Sequence, residues 1–380
     1  MKVADVIASI LKAEGVEYLF AYPVNPIIEA AAKIGIRPII VRQERIGLHM
    51  ADAVSRLSSG KQIGVFCMQS GPGSENAFGG VAQAYGDSSP ILVLPMGYNR
   101  DLTQIQPNFN SSLNFRHVTK LCEQVTVPAA VPEIMRRALT QVRNGRPQPV
   151  LVEIPSDVFG EEIEYSGDHE PVPVALSAPD PSDVKKASET LLNAKRPVIY
   201  AGQGVHYSEA WASLRELAEL LVAPVTTSLG GKSAFPEDHP LSLGSGGRSM
   251  PKSVRDFLDQ ADVILGIGCS FSRTPFGVSM PEGKTVIHAT NDPADINKDL
   301  EVTHALIGDA RLTLEALISE IQITERAQLD RLIDDVSNQI QSIKTQRMEA
   351  WSPKLDSNDV PLSPYRVIRD LMRTVDVENT

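Results

Sequence analysis

Segments of helical and of strand periodicity alternate along the first part of the chain, and that alternation leaves few folds open. Val3, Val6, Ile7, Ile10 and Leu11 form one apolar stripe at helical spacing, and Gly15 stops it. Glu17–Tyr22 then reads as a short buried strand ending at Pro23. Helices are predicted at about 26–34, 44–57 and 74–85, with strands at 38–41, 63–67, 91–94 and 150–154. Apolar strands set between helices predict a mostly parallel sheet covered on both faces, a doubly wound α/β domain.

Residues 164–182 hold four prolines and little periodicity, the character of a linker. A second doubly wound unit follows, with strands at 197–201, 224–228, 263–267 and 285–288 and helices near 208–221, 252–260 and 310–321. From about 325 to 350 the chain is polar and helical, then comes a loop holding Pro353, Pro361 and Pro364. An amphipathic helix starts at Tyr365, and its apolar stripe calls for a sheet to cover. The organisation expected is therefore domain one at 1–165, a linker at 166–184, domain two at 185–325, and a helical extension at 326–380. The length of 380 residues agrees, at roughly 100–200 residues per domain.

Charge and cysteine content narrow the function. Acidic residues outnumber basic ones 47 to 36, which argues against a nucleic-acid or anionic-membrane binder. Cys67, Cys122 and Cys269 are odd in number and form no CxxC pair, so neither a disulfide framework nor a structural zinc site is expected. Asp5 interrupts the apolar core a signal peptide needs, and no apolar run reaches the length of a membrane span. A cytoplasmic enzyme or enzyme component is expected.

Several motifs fail. Gly202-Gln-Gly204 follows a strand as a dinucleotide site would, but Tyr207 stands where the third glycine belongs, and Gly266-Ile-Gly268 likewise meets Phe271. Two glycines of this kind mark tight strand-to-helix turns. Around Ser70 a hydrolase elbow needs Gly at the position of Met68. The run Ser70-Gly-Pro-Gly-Ser-Glu-Asn76 nonetheless lies between a strand and a helix, where α/β sheets bind ligands, and Ser74 reads as the helix cap. Glu44, in the first turn of a helix after the strand 38–41, suits the helix dipole whether or not it has a chemical role.

Taken together, Arg42, Glu44, His49-Met-Ala-Asp52, Ser70-Gly-Pro-Gly73, Asn76 and Ala84-Tyr-Gly-Asp-Ser88 resemble the thiamine-diphosphate-dependent enzymes of the acetolactate synthase and 2-oxoacid decarboxylase group. Lys195–Gly202, Ala234–Gly244 and Asp292–Lys298 are similar to the middle domain of the same group. The resemblance implies that domain one binds the cofactor's aminopyrimidine ring and that Glu44 is the catalytic glutamate, bonded to a ring nitrogen. A carboxylate in a dry pocket favours a proton on its partner and so draws the ring to its imino form, which takes the proton from the thiazolium carbon. Pro23, Pro72, Gly73 and Asn76 are the remaining cofactor-binding residues it implies. Gln69 is implied to face the reacting carbons, and Tyr22 and Gln69 are expected to tune substrate choice.

Full-length members of the group continue into a third domain whose Gly-Asp-Gly element holds Mg2+ and the diphosphate, as oxygen ligands suit a hard cation. This sequence has no Gly-Asp-Gly. The resemblance therefore implies a partner polypeptide carrying that domain, either because the enzyme is naturally split or because the chain is truncated, with the split expected and homo-association besides. The flavin pattern Gly-x-Arg-Phe-Asp-Asp-Arg is here Gly268-Cys-Ser-Phe-Ser-Arg-Thr274, so FAD is not expected, and Gln104–Asn110 occupies the place of the Phe-Gln-Glu element without matching it. The function implied is a carbon–carbon lyase, carboligase or 2-oxoacid decarboxylase subunit acting on a small 2-oxoacid or acyloin. The alternative is a non-catalytic structural or regulatory subunit that keeps the fold.

Overall fold

The computed structural model describes residues 1–103, 105–323 and 333–376. Gln104 and the expected boundary at 325/326 lie outside the described residues. The chain divides into two compact units, Met1–Ser177 and Ala178–Thr380.

Unit one runs α1 (Val3–Ala13), β1 (Tyr18–Ala21), α2 (Ile27–Lys33), β2 (Arg37–Ile40), α3 (Glu44–Leu57), β3 (Gly64–Met68), α4 (Pro72–Gly86), β4 (Ile91–Gly97), α5 (Ser111–Asn114), β5 (Leu121–Gln124), α6 (Val131–Arg143) and β6 (Val150–Pro155). The strands form one six-stranded sheet in the order β2-β1-β3-β4-β6-β5, and every pair in it is parallel. Alternate residues of each strand feed opposite faces. Leu19, Val65, Cys67, Leu92, Leu94, Val150 and Val152 meet α1, α2 and α6, while Phe20, Phe66, Met68, Ile91, Val93 and Leu151 meet α3 and α4. Two glycines let α3 lie almost on the sheet. A Cβ on Gly64 would stand 1.9 Å from Ala51 O, and one on Gly47 would stand 2.4 Å from the Phe66 ring.

Two expectations for this unit need correction. The fourth helix starts at Pro72, not at 74, because proline fits the first helical position with its φ preset and its missing N–H unneeded. Gly71, at φ 58°, makes the turn before it, and Ser74 lies inside the helix, bonded to Ser111 instead of capping. The proline-rich stretch after 164 does not leave the unit at once. His169 Nε2 and the Val172 N–H reach Glu14 Oε1 at 2.7 and 3.0 Å, and Asn144 bonds both Pro173 O and Ala175 N.

Unit two contains α7 (Pro181–Asn193), β7 (Pro197–Ala201), α8 (Gly204–Tyr207), α9 (Trp211–Leu221), β8 (Val225–Thr227), β9 (Ser242–Ser245), α10 (Lys252–Gln260), β10 (Val263–Ile267), β11 (Thr285–Thr290), β12 (His304–Ile307), α11 (Ala310–Ile323), α12 (Ile333–Leu355) and α13 (Pro364–Thr374). Its sheet is again six-stranded and parallel, in the order β12-β11-β10-β7-β8-β9. Residues of α7, α9 and α11 pack on one face, and α10 with Ile340 of α12 on the other.

The expected helix at 208–221 is α9, which starts at Trp211; the short α8 precedes it, and Glu209, whose φ is +48°, lies between the two. Pro353 was expected in a loop and lies inside α12, three residues before Asp356. Near a helix end a proline removes a single ladder bond, which the last turn tolerates. Tyr365 of α13 meets Trp351 edge-on at 5.0 Å, while Val367, Ile368, Leu371 and Met372 stay exposed. No helix among the described residues is long and apolar enough to cross a membrane.

Candidate active site

In a parallel sheet ligands gather at the carboxyl edge where the strand order reverses. In unit one that point lies between β1 and β3, with β2 outside β1 and β4 outside β3. Three of the singled-out segments leave the sheet there: Tyr22-Pro23 after β1, Glu44 after β2, and Gln69–Asn76 after β3.

Glu44 is the first residue of α3 and only 3% exposed. Its Oε2 accepts a hydrogen bond from Asn76 Nδ2 at 3.2 Å. Gly73 lies between the side chains of Glu44 and Gln69. A Cβ there would stand 2.8 Å from Gln69 Cγ and 3.5 Å from both Glu44 Oε1 and Met68 Cβ. Glu44, Gln69, Gly73 and Asn76 are thus brought together, across 32 positions of sequence between Glu44 and Asn76. Pro72 opens the helix beside them and is exposed. Tyr22 sits one strand over, half-buried against the α3–α4 core, with its N–H on Cys67 O at 3.0 Å. Pro23 is exposed on the same turn.

Three residues that shape this edge were not singled out by the sequence. Asn25 is buried, and its Nδ2 donates to Met68 O and Leu94 O, both at 3.1 Å, while its Oδ1 takes the Ile27 N–H at 3.0 Å. One side chain therefore ties the ends of β3 and β4 to the turn after β1. Tyr98, just past β4, brings its hydroxyl against Gly71, where a Cβ would come within 2.4 Å of it. Glu153 is a carboxylate on the otherwise apolar β6, 1% exposed, and burial pushes it above the usual carboxylate range although the Ser111 and Ser112 N–H groups hold it down. Only Glu153 left a signal in the sequence: a lone charge inside a buried strand.

The residues fit the pyrimidine half of thiamine diphosphate. A buried carboxylate oxygen faces a backbone kept bare by Gly73, beside an amide and a proline-started helix. A metal is different: among the described residues no group of three or more His, Cys, Asp or Glu side chains is arranged to hold one.

In unit two the glycines of the incomplete dinucleotide motifs meet each other. The Gly204 N–H donates to Gly268 O at 2.8 Å, and a Cβ on Gly202 would lie 2.3 Å from that oxygen. The glycines serve the mutual approach of two turns. Beyond them Ser270 and Ser272 bond each other at 2.8 Å, and Lys298 reaches Ser272 and Asp295.

Comparison with known proteins agrees with this geometry. Residues 1–127 match the thiamine pyrophosphate enzyme N-terminal TPP binding domain, and residues 184–317 match the thiamine pyrophosphate enzyme central domain. A probable acetolactate synthase large subunit of Methanocaldococcus jannaschii is 34% identical, covering 99% of this chain and 64% of its own length. The acetolactate synthase isozyme 3 large subunit of Escherichia coli K12 is 29% identical over 97% of this chain and 66% of its own. A glyoxylate carboligase of Escherichia coli O157:H7 is 31% identical over 98% and 63%. The chain thus spans just under two thirds of the length of these relatives. With both domain models in place and in order, it belongs to the thiamine pyrophosphate enzymes, of which it carries the N-terminal and central domains.

Proposed function

We propose that unit one is the pyrimidine-binding half of a thiamine-diphosphate site and that the chain works in making or breaking a carbon–carbon bond next to a carbonyl. The observation that carries this reading is Glu44: a carboxylate buried at the first position of α3, held by Asn76 and opposed by Gly73 at the sheet's carboxyl edge. The names of the relatives, acetolactate synthase and glyoxylate carboligase, favour carboligation of small 2-oxoacids over other carbon–carbon chemistry.

When bound, thiamine diphosphate supplies the carbanion chemistry, and the protein supplies orientation and electrostatics. Glu44 Oε1 is the oxygen left for a ring nitrogen, because Asn76 occupies Oε2. Holding a proton there in a site shielded from water is worth more than in solution. The absent Cβ at Gly73 leaves room for a flat ring to lie against backbone, and Gln69 beside it orients the acceptor carbonyl. Tyr22, one strand away, bounds the substrate side.

The diphosphate and its Mg2+ need oxygen ligands of a further domain bearing Gly-Asp-Gly, which we propose is contributed by a partner polypeptide. The large-subunit names of the relatives support an assembly of more than one kind of chain. The test is to combine the chain with such a domain, add thiamine diphosphate and Mg2+, and follow consumption of pyruvate, glyoxylate and longer 2-oxoacids. Cofactor-dependent turnover is expected only in the combination. Saturable cofactor binding without turnover of any 2-oxoacid would favour the non-catalytic subunit, and no binding at all would remove the reading.

A further inference from the structure

Glu153 is a buried charge that the chemistry above does not use. Its Oε1 accepts the Ser111 N–H at 3.2 Å, and its Oε2 accepts the Ser112 N–H at 3.0 Å and Gln124 Nε2 at 3.1 Å. Gly97, on the neighbouring strand, leaves space for it, since a Cβ there would stand 3.1 Å from Glu153 Cγ. Among the described residues no cation is paired with this carboxylate. Three neutral donors hold it, and an apolar residue in its place would strand two buried backbone N–H groups.

What those two N–H groups carry is α5. Ser111, 1% exposed, donates its hydroxyl to Ser74 Oγ at 2.9 Å, and Ser74 is fully buried in the first turn of α4. Phe115, after α5, packs on Phe78 of α4 at 5.1 Å. The opposite side of α4 meets α3 through Asn76 on Glu44 and through Gly80, where a Cβ would stand 3.1 Å from Leu48 Cβ. The start of α4 is therefore clamped from two sides, and Glu44 sits at one jaw while Glu153 anchors the other.

We infer that Glu153 is a positioning residue: a buried carboxylate that fixes Ser111 and, through the Ser111–Ser74 hydroxyl pair, sets the turn on which Gly73 and Asn76 meet Glu44. A carboxylate suits the task because it accepts from every direction. An amide offers one accepting oxygen and turns an N–H against donors. The consequence for cofactor binding rests on the reading of Glu44 given above, but the mechanical link does not.

The test compares Glu153→Gln, Ser111→Ala and Gln124→Ala in the full chain by amide hydrogen exchange. Gln124 touches the same carboxylate from β5 without touching α4, so it controls for a purely structural role. Exchange in peptides covering 68–78 is expected to rise about tenfold in Glu153→Gln and in Ser111→Ala, and to stay at the parent rate in Gln124→Ala. The Glu153→Gln/Ser111→Ala double variant is expected to exchange there no faster than the worse single variant.

Once the chain is completed by a diphosphate-binding domain, the same two variants should weaken thiamine diphosphate and lower kcat, with KM for the 2-oxoacid unchanged. Parent-rate exchange at 68–78 in Glu153→Gln, or effects that multiply in the double variant, would overturn the inference. Should Glu153→Gln not fold, Glu153→Asp takes its place, since it keeps the carboxylate and draws it back from the Ser111 and Ser112 N–H groups. If the parent complex binds no thiamine diphosphate, the site reading fails while the exchange result still judges Glu153.

Discussion

Replacing Glu44 by Gln separates chemistry from folding. The side chain keeps its shape, and the new amide oxygen still accepts from Asn76 Nδ2, now 3.2 Å from Oε2. What disappears is the negative charge on a group only 3% exposed. A hydrogen bond to a charged partner contributes roughly 1.5–3 kcal/mol. At about 1.4 kcal/mol per factor of ten, its loss in the activated complex slows turnover about 10- to 150-fold. Stability moves the other way or not at all, because a buried charge is removed while its hydrogen bond with Asn76 survives, so the unfolding free energy changes by less than about 1 kcal/mol. The assay is cofactor-dependent 2-oxoacid consumption by the chain combined with a diphosphate-binding domain, with urea denaturation of the same preparation. Turnover within a factor of about three of the parent would refute a role for the Glu44 charge, since that is below the weakest charged hydrogen bond.

Three further outcomes follow from the same coordinates. Gln69→Ala opens the space beside Gly73, and kcat/KM for the 2-oxoacid is expected to fall about tenfold with thiamine diphosphate affinity unchanged, as measured by steady-state kinetics and cofactor titration. Gly64→Ala puts a Cβ 1.9 Å from a backbone oxygen of α3, which no side-chain rotation relieves, so a loss of about 3 kcal/mol or more is expected in urea denaturation. Burial pushes the Cys122 thiol from 9.0 up to about 11. Because the thiolate is the reacting form, iodoacetamide should alkylate Cys122 about 100-fold more slowly at pH 8 than an unperturbed thiol. The rate should climb as pH rises toward that value.

The central strands of both sheets were legible because they are buried on both faces and read as unbroken apolar runs. The strands that escaped, β5, β9 and β12, are three of the four sheet edges. Leu121-Cys-Glu-Gln124 is half-buried throughout, and Ser242-Leu-Gly-Ser245 is half polar. An edge strand needs little apolar surface and is protected by polar residues, so its pattern fades into loop. Helix α6 is another matter: Val131, Ile134, Met135, Ala138, Leu139 and Val142 carry full helical spacing and are all buried. Its stripe is fully present in the sequence. Helix α7, starting at Pro181 with Val184, Ala187 and Leu191 inward, was hidden by the proline-rich run before it.

The site divides along the same physical line. Glu44 and the Ser-Gly-Pro-Gly turn were legible because each is a local motif at a strand-to-helix junction, readable within a few residues. What holds them is not local. Asn25 bridges to Leu94 across 69 positions, and Glu153 reaches Ser112 across 41. No periodicity encodes such a bond. In sequence Asn25 is one more polar residue in a turn, and Glu153 is a flaw in a good strand. A charge that breaks the apolar pattern of a fully buried strand is costly unless donors come to it from elsewhere in the fold. Its presence therefore announces a distant partner without saying which one, and here the partner is the start of α5, whose Ser111 also bonds Ser74 in the first turn of α4.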